Sequence, residues 1–131
     1  MTEARSSVVN VAARLSVTAR AMPECVAVVE PGKYDRQGKR QYRSLSFAQL
    51  EEDSHRIAAG LRRSGVGPGM RVALMVRPGI DFISLVFALF KAGAVIILID
   101  PGMGARRLLH CLAEAEPEGF IGIPLAQAVR W

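Results

Sequence analysis

The stretch FISLVFALFKAGAVIILID, Phe82 to Asp100, decides how this chain folds. From Phe82 to Ile99 it holds eighteen residues with Lys91 as the single charge. A membrane-spanning helix needs about 20 apolar residues, and a Lys near its centre costs roughly 2.5–3.5 kcal/mol. The character of the stretch also changes at Ala92-Gly93. Leu, Phe and Ala dominate before it, and the run Val95-Ile96-Ile97-Leu98-Ile99 follows. The pattern reads as a buried helix stopped by Gly and then a buried strand, rather than one membrane span.

Toward the N-terminus, Gly67-Pro68-Gly69 turns the chain into a strand over Arg71–Val76. Pro78-Gly79 breaks that strand, and Asp81 is the expected cap of the helix that runs to Ala92. Ser46-Phe47-Ala48-Gln49 is a capping box. In it the Ser hydroxyl takes the third helical N–H and the Gln side chain reaches back. The helix it opens is expected to show Leu50, His55 or Ser54, Ile57, Ala58 and Leu61 along one side. Arg62, Arg63 and Gly65 end it, with cations at the negative dipole end. Earlier still, Asn10 reads as the N-cap of a helix with Val11, Leu15, Thr18 and Met22 on its apolar face, stopped by Pro23. Cys25–Glu30 reads as a strand, Pro31-Gly32 through Gly38 as turn, and Gln41–Leu45 as the second strand of a hairpin. Toward the C-terminus, Asp100-Pro101-Gly102-Met103-Gly104 leads into a helix from Ala105 to Ala115. Its expected inward residues are Leu108, Leu109, Leu112 and Ala113. Pro117 ends that helix, Phe120–Ile123 reads as a strand, and Pro124 to Trp131 as the start of another helix.

Strands alternating with helices imply parallel pairing through right-handed crossovers, and continuous apolar strands imply a sheet covered on both faces. The expected class is α/β: a β-hairpin followed by alternating helices and mostly parallel strands. Such a sheet needs more covering helices than are present, so residues 1–131 are expected to form an incomplete N-terminal subdomain with no second domain.

With 131 residues there is one domain at most, and 50% hydrophobic against 22% charged residues excludes a disordered chain. The net charge of +5 is concentrated, because Lys33, Arg36, Lys39, Arg40 and Arg43 face only Asp35 between residues 33 and 43. The rest is nearly neutral, which argues against a nucleic-acid-binding face and for one basic loop. That loop reads as solvated, with an acidic partner as the other reading. The first residues lack the apolar core of a secretory signal, so the expected compartment is the cytoplasm. Cys25 and Cys111 stand far apart, form no metal or redox motif, and are expected to be small buried apolar residues.

The strongest local candidate for chemistry is Asp100-Pro101-Gly102-Met103-Gly104-Ala105-Arg106-Arg107. It leaves a strand and opens a helix, where free N–H groups attract anions, and Arg106 and Arg107 suit phosphate or carboxylate. The signal is weak, since Arg107 replaces the last Gly of a dinucleotide fingerprint and no phosphate-loop Gly-Lys-Ser/Thr follows. Gly102, Gly104, Arg106 and Arg107 are therefore an anion-site candidate set against a plain strand-to-helix turn. His55 and His110 each stand alone. Glu51-Glu52-Asp53 reads as a carboxylate run favoured by the first helical turn, and Glu114, Glu116 and Glu118 as solvated. No catalytic residue and no metal site is assigned.

Two segments together carry a resemblance. Leu45-Ser46-Phe47-Ala48-Gln49-Leu50 is similar to the first core motif, L-[ST]-[YF]-x-x-L, of the adenylate-forming (AMP-binding) superfamily. Phe90-Lys91-Ala92-Gly93 through Asp100-Pro101 resembles its second, L-K-A-G-x-x-x-x-P-L-D-P. Between them Gly65 to Met75 resembles the family's G-V-x-x-G-D-R-V-A strand entry, with Met70 in place of Asp. Leu109 to Ile123 resembles the helix and strand that follow. Leu98 stands where the family usually has Pro. That version is similar to the branch acting in olefin biosynthesis, the β-lactone synthetases and fatty-acid–CoA ligase-like enzymes.

The resemblance implies a parent enzyme that uses Mg²⁺ and ATP to turn a fatty-acyl or β-hydroxy-acid carboxylate into an acyl-adenylate. Transfer to coenzyme A or closure by the substrate's own β-hydroxyl would follow. It also implies that the phosphate loop, the ribose-binding Asp and the lid lysine lie outside these residues. On that basis the chain alone is expected to bind no cofactor and to be inactive, with the remainder of the parent enzyme as its partner. The alternative is a free-standing, non-catalytic anion- or partner-binding module.

Overall fold

The computed structural model describes residues 9–100 and 102–122. The expected helix from Pro124 to Trp131, the end of the last expected strand at Ile123, and Pro101 lie outside them. The chain begins with α1 (Ala12–Ala21) and a hairpin, β1 (Val26–Tyr34) and β2 (Arg40–Ser46), and then α2 (Phe47–Arg63). The units β3 (Arg71–Met75), α3 (Ile80–Lys91), β4 (Val95–Leu98), α4 (Ala105–Ala115) and β5 (Gly119–Gly122) follow in alternation.

β1 and β2 pair antiparallel, and β4-β3-β5 form a separate parallel sheet, so the mixed α/β class holds. β3 is the sheet's centre, with Val72, Ala73 and Leu74 at 1%, 0% and 0% exposure. Strand side chains alternate between faces, and the two faces have separate cores. Val72 and Leu74 pack with Leu89 and Ala94, joined by Leu61 of α2 and by Leu85 and Val86 of α3. Ala73 and Met75 pack with Ile99 and with Leu108 and Leu112 of α4. No helix of the described residues is long and apolar enough to cross a membrane. The eighteen-residue stretch divides at Gly93 into α3 and β4, as its composition requires.

The capping box is fully formed: Ser46 Oγ accepts from Gln49 N–H at 3.2 Å, and Gln49 Oε1 accepts from Ser46 N–H at 2.9 Å. Ser54, not His55, takes the buried place between Leu50 and Ala58.

Other local expectations are corrected. α1 buries Ala12, Leu15 and Ala19, while Val11 and Met22 are exposed. Leu15 is buried as expected, and Ala12 and Ala19 join it on the face that lies over α2 and α3. Asn10 still serves the helix start, accepting from Ala12 N–H at 2.9 Å. β1 runs through Pro31-Gly32 to Tyr34, with a register shift after Pro31, and the turn is confined to the residues after Tyr34. A proline with no N–H is tolerated there because, among the described residues, β1 pairs on one side only. α3 starts without a cap from Asp81; Glu30 Oε1 instead accepts from Ile80 N–H at 3.3 Å. In α4, Leu109 and Ala113 face solvent, since only one narrow stripe meets the sheet. Cys25 is exposed and Cys111 half-buried. The Cys25 position is held through its backbone, whose carbonyl accepts from Phe47 N–H at 2.9 Å.

Gly93 is the hinge between α3 and β4. Its φ is +78°, and a Cβ there would lie 3.2 Å from Pro68 Cα, a backbone atom that cannot swing away. Gly38 has nearly the same φ, +77°, with open space around it. The left-handed conformation costs a non-glycine residue about 1–2 kcal/mol. Gly38→Ala is expected to lose about that much in urea unfolding, and Gly93→Ala clearly more, because contact adds to conformation. Equal losses would show that the Pro68 contact is not tight.

Candidate functional site

The residues of the second motif meet at the C-terminal end of α3. Lys91 is the lone cation of its stretch, and its side chain is only 9% exposed. An ammonium cannot be withdrawn from water unpaired. It reaches across to α2, where Lys91 Nζ donates to Glu51 Oε2 at 2.9 Å and to the Glu51 carbonyl at 3.1 Å. Glu51 is held in turn from α1, Ser16 Oγ donating to its Oε1 at 2.7 Å. The last carbonyls of α3, which have no helical partners, are taken by neighbours. Asn10 Nδ2 donates to the Phe90 carbonyl and Arg62 Nη2 to the Lys91 carbonyl, both at 2.6 Å.

Burial pushes the Glu51 carboxyl up. The hydrogen bonds from Ser16 and Lys91 and the charge of Lys91 outweigh that, with a smaller contribution from His55, so the group is held below its ordinary 4.5. The sequence reading missed this pair. It placed Glu51, Glu52 and Asp53 in a first turn, but α2 starts at Phe47 and its first turn holds no acid. The signal was present in Lys91 itself, because a single cation in an apolar run requires a counter-ion.

The turn after β4 is built differently. Gly102 N–H donates to Asp100 Oδ1 at 2.8 Å, and Gly104, with φ +81°, forms the N-cap of α4. Arg106 and Arg107 follow on the first turn, both exposed. The four anion-site candidates thus share one turn, with the Asp100 carboxylate on the Gly102 amide. His55 is exposed, and His110 lies 3.4 Å from Glu114. Among the described residues no group of three His, Cys, Asp or Glu side chains could hold a metal ion. A groove of about 530 Å³ lies between α1, β1, α2 and α3, lined by Leu15, Val28, Phe47, Leu50, Ile83 and Phe87 among others. A second, of about 330 Å³, runs between β4 and α4. Both are mainly apolar, and the second is also lined by Cys111 and Glu114 of α4.

The family model described as AMP-binding enzyme matches residues 15–130. An olefin beta-lactone synthetase of Xanthomonas campestris pv. campestris is 50% identical over 122 residues, covering 92% of this chain and 22% of that protein. A second olefin beta-lactone synthetase, from Stenotrophomonas maltophilia, is 48% identical over 123 residues, with the same coverage of 92% and 22%. The chain therefore spans about a fifth of the length of these relatives. In structure it is similar to the Klebsiella oxytoca NpsA N-terminal subdomain, with a TM-score of 0.74 at 20% identity, over 93% of this chain and 28% of that one.

The Lys91–Glu51 pair sets an acid dependence of sign opposite to that of an unpaired buried carboxyl. A carboxyl held low in the folded state contributes stability that is complete above its ordinary 4.5 and is lost as pH falls through the lowered value. Near neutrality Lys91→Met, which leaves the Glu51 carboxylate short of its partner, is expected to cost about 1–3 kcal/mol. Urea midpoints measured across pH should show the deficit of Glu51→Gln shrinking as the wild-type carboxyl protonates. A deficit independent of pH would remove the charge from the account.

Proposed function

The chain belongs to the AMP-binding enzyme family, and from that premise we propose that it forms the N-terminal subdomain of an ATP-dependent acid ligase that makes a β-lactone. The observation that carries the reading is 50% identity to an olefin beta-lactone synthetase across 92% of this chain. The substrate is then a β-hydroxy fatty acid. Its carboxylate oxygen bonds to the α-phosphorus of ATP and pyrophosphate leaves. The β-hydroxyl then attacks the acyl carbonyl, gives up its proton, and AMP leaves as the four-membered ring closes. Closure is favoured over transfer to the thiol of coenzyme A because two relatives near half identity carry the lactone activity in their names.

No residue of this chain is assigned to the nucleotide, to Mg²⁺ or to the reacting atoms. Its share is structural. The Lys91–Glu51–Ser16 connection and the two-faced sheet hold a rigid platform for the phosphate loop and lid that the family reaction requires. Charge neutralisation of the triphosphate and a positioned backbone cradle supply most of the rate in such chemistry, and residues 1–131 contain no motif for either. The chain alone is accordingly inactive, and the whole enzyme works in the cytoplasm, where ATP is supplied.

Pyrophosphate release measured with this chain, ATP, Mg²⁺ and a β-hydroxy fatty acid should stay at background. A whole enzyme carrying this segment should release pyrophosphate and AMP and yield a β-lactone without coenzyme A. Turnover by the chain alone would overturn its inactivity. A product that is a coenzyme A thioester would overturn lactone closure.

A further inference from the structure

The β1–β2 hairpin has two unlike faces. Directly opposed residues of an antiparallel pair share a face. The pairs Val29↔Ser44, Pro31↔Tyr42 and Tyr34↔Arg40 therefore lie on one side, and Val28↔Leu45 and Glu30↔Arg43 on the other. The second side turns to the body of the protein: Val28 and Leu45 are half-buried, and Glu30 bonds to the start of α3. The first side is open, with Val29 57%, Tyr34 63% and Tyr42 65% exposed. Arg40 is fixed on it, its guanidinium 5.0 Å from the centre of the Tyr34 ring and its Nη1 3.1 Å from the Tyr34 hydroxyl.

At the tip the one acid is already engaged. Asp35 Oδ1 accepts from the Gln37 and Lys39 amides at 2.9 and 2.8 Å, and Oδ2 from Gln41 Nε2 at 2.9 Å. The side chains of Lys33, Arg36 and Lys39 are exposed and have no hydrogen bond or ion pair among the described residues. An apolar, tyrosine-bearing face with an ordered arginine thus adjoins a tip of net positive charge.

We propose that this hairpin docks an acidic surface of another protein, with Tyr34, Arg40 and Tyr42 as anchors and Lys33, Arg36 and Lys39 steering the approach. Tyr and Arg concentrate binding energy at interface centres, while exposed charges at the rim mainly govern encounter and partner choice. An arginine pre-ordered on an aromatic ring presents its remaining N–H groups in a fixed fork, which suits a carboxylate in a defined place better than a diffuse layer of charge. A second copy of the chain is opposed, because two tips of like charge would meet. The inference does not rest on the adenylation reading.

The test uses this chain and a fluorescent Glu/Tyr copolymer peptide at low salt. Binding should be saturable. Tyr42→Ala and, separately, the double variant Arg36→Glu/Lys39→Glu should each weaken it about tenfold, with an unchanged circular dichroism spectrum showing that both variants fold. No binding, or binding indifferent to Tyr42→Ala, overturns the proposal, since charge alone would then suffice. Equal or tighter binding to phosphatidylglycerol vesicles or duplex DNA overturns it as well, as does a dimer by light scattering that Tyr42→Ala dissolves. In a whole enzyme carrying this segment, protection of Tyr42 from nitration would place the enzyme's own later segments on this face and equally overturn it.

Discussion

An ammonium group buried at the end of an apolar helix must find a counter-charge, and that requirement organises this fold. Lys91 has a side chain only 9% exposed, Glu51 supplies its counter-charge, and Ser16 holds Glu51 in turn. Three helices far apart in sequence are thereby brought into one arrangement. The same helix end draws Asn10 and Arg62 onto its last carbonyls, so α3 is closed by side chains from both sides. A pair made of hydrogen-bonded charges contributes more to uniqueness than to net stability, because desolvation offsets much of the attraction. Here the uniqueness consists in fixing where α3 stops and β4 begins.

The sheet inherits that choice. Once Gly93 turns the chain against Pro68, its carbonyl accepts from Gly69 N–H at 2.9 Å and the Met70 carbonyl accepts from Val95 N–H at 2.8 Å. The register of β4 on β3 begins there, with Arg71 opposite Val95. A slip of one residue would exchange the two faces, sending Ile96 away from the α2–α3 core and Ile97 into it. Register and helix position are thus one constraint. The open side of β4, where Val95 is 49% and Leu98 63% exposed, is the least determined part of the sheet among the described residues.

Features set by neighbours in sequence were legible, and features set by distant partners were not. Composition and period found the helices and strands of the parallel sheet, and the Ser46–Gln49 box was readable because all its atoms lie within four residues. The inward face of α1 was legible only in part: Leu15 is buried as its spacing implies, while Val11 and Met22 are exposed and Ala12 and Ala19 are buried instead. The cap of α3 was misplaced on Asp81 because the actual acceptor, Glu30, lies fifty residues away. Pro31 was read as a breaker, which it is only in a strand paired on both sides.

The candidate site separates in the same way, and it shows how packing alone can spell a sequence motif. In Lys91-Ala92-Gly93 each position meets a geometric demand that few residues satisfy. Lys91 needs a long stem and a charge to reach Glu51 from a site 9% exposed. Ala92 is buried at 4% exposure, which favours a small apolar side chain. Gly93 needs a positive φ and no Cβ against Pro68. Three adjacent residues set by charge, burial and backbone conformation make a recognisable string of letters. Side chains that select a substrate are more often gathered from several loops, and leave a weaker local spelling. The motif therefore speaks clearly about family, and the ligand must be read from other residues.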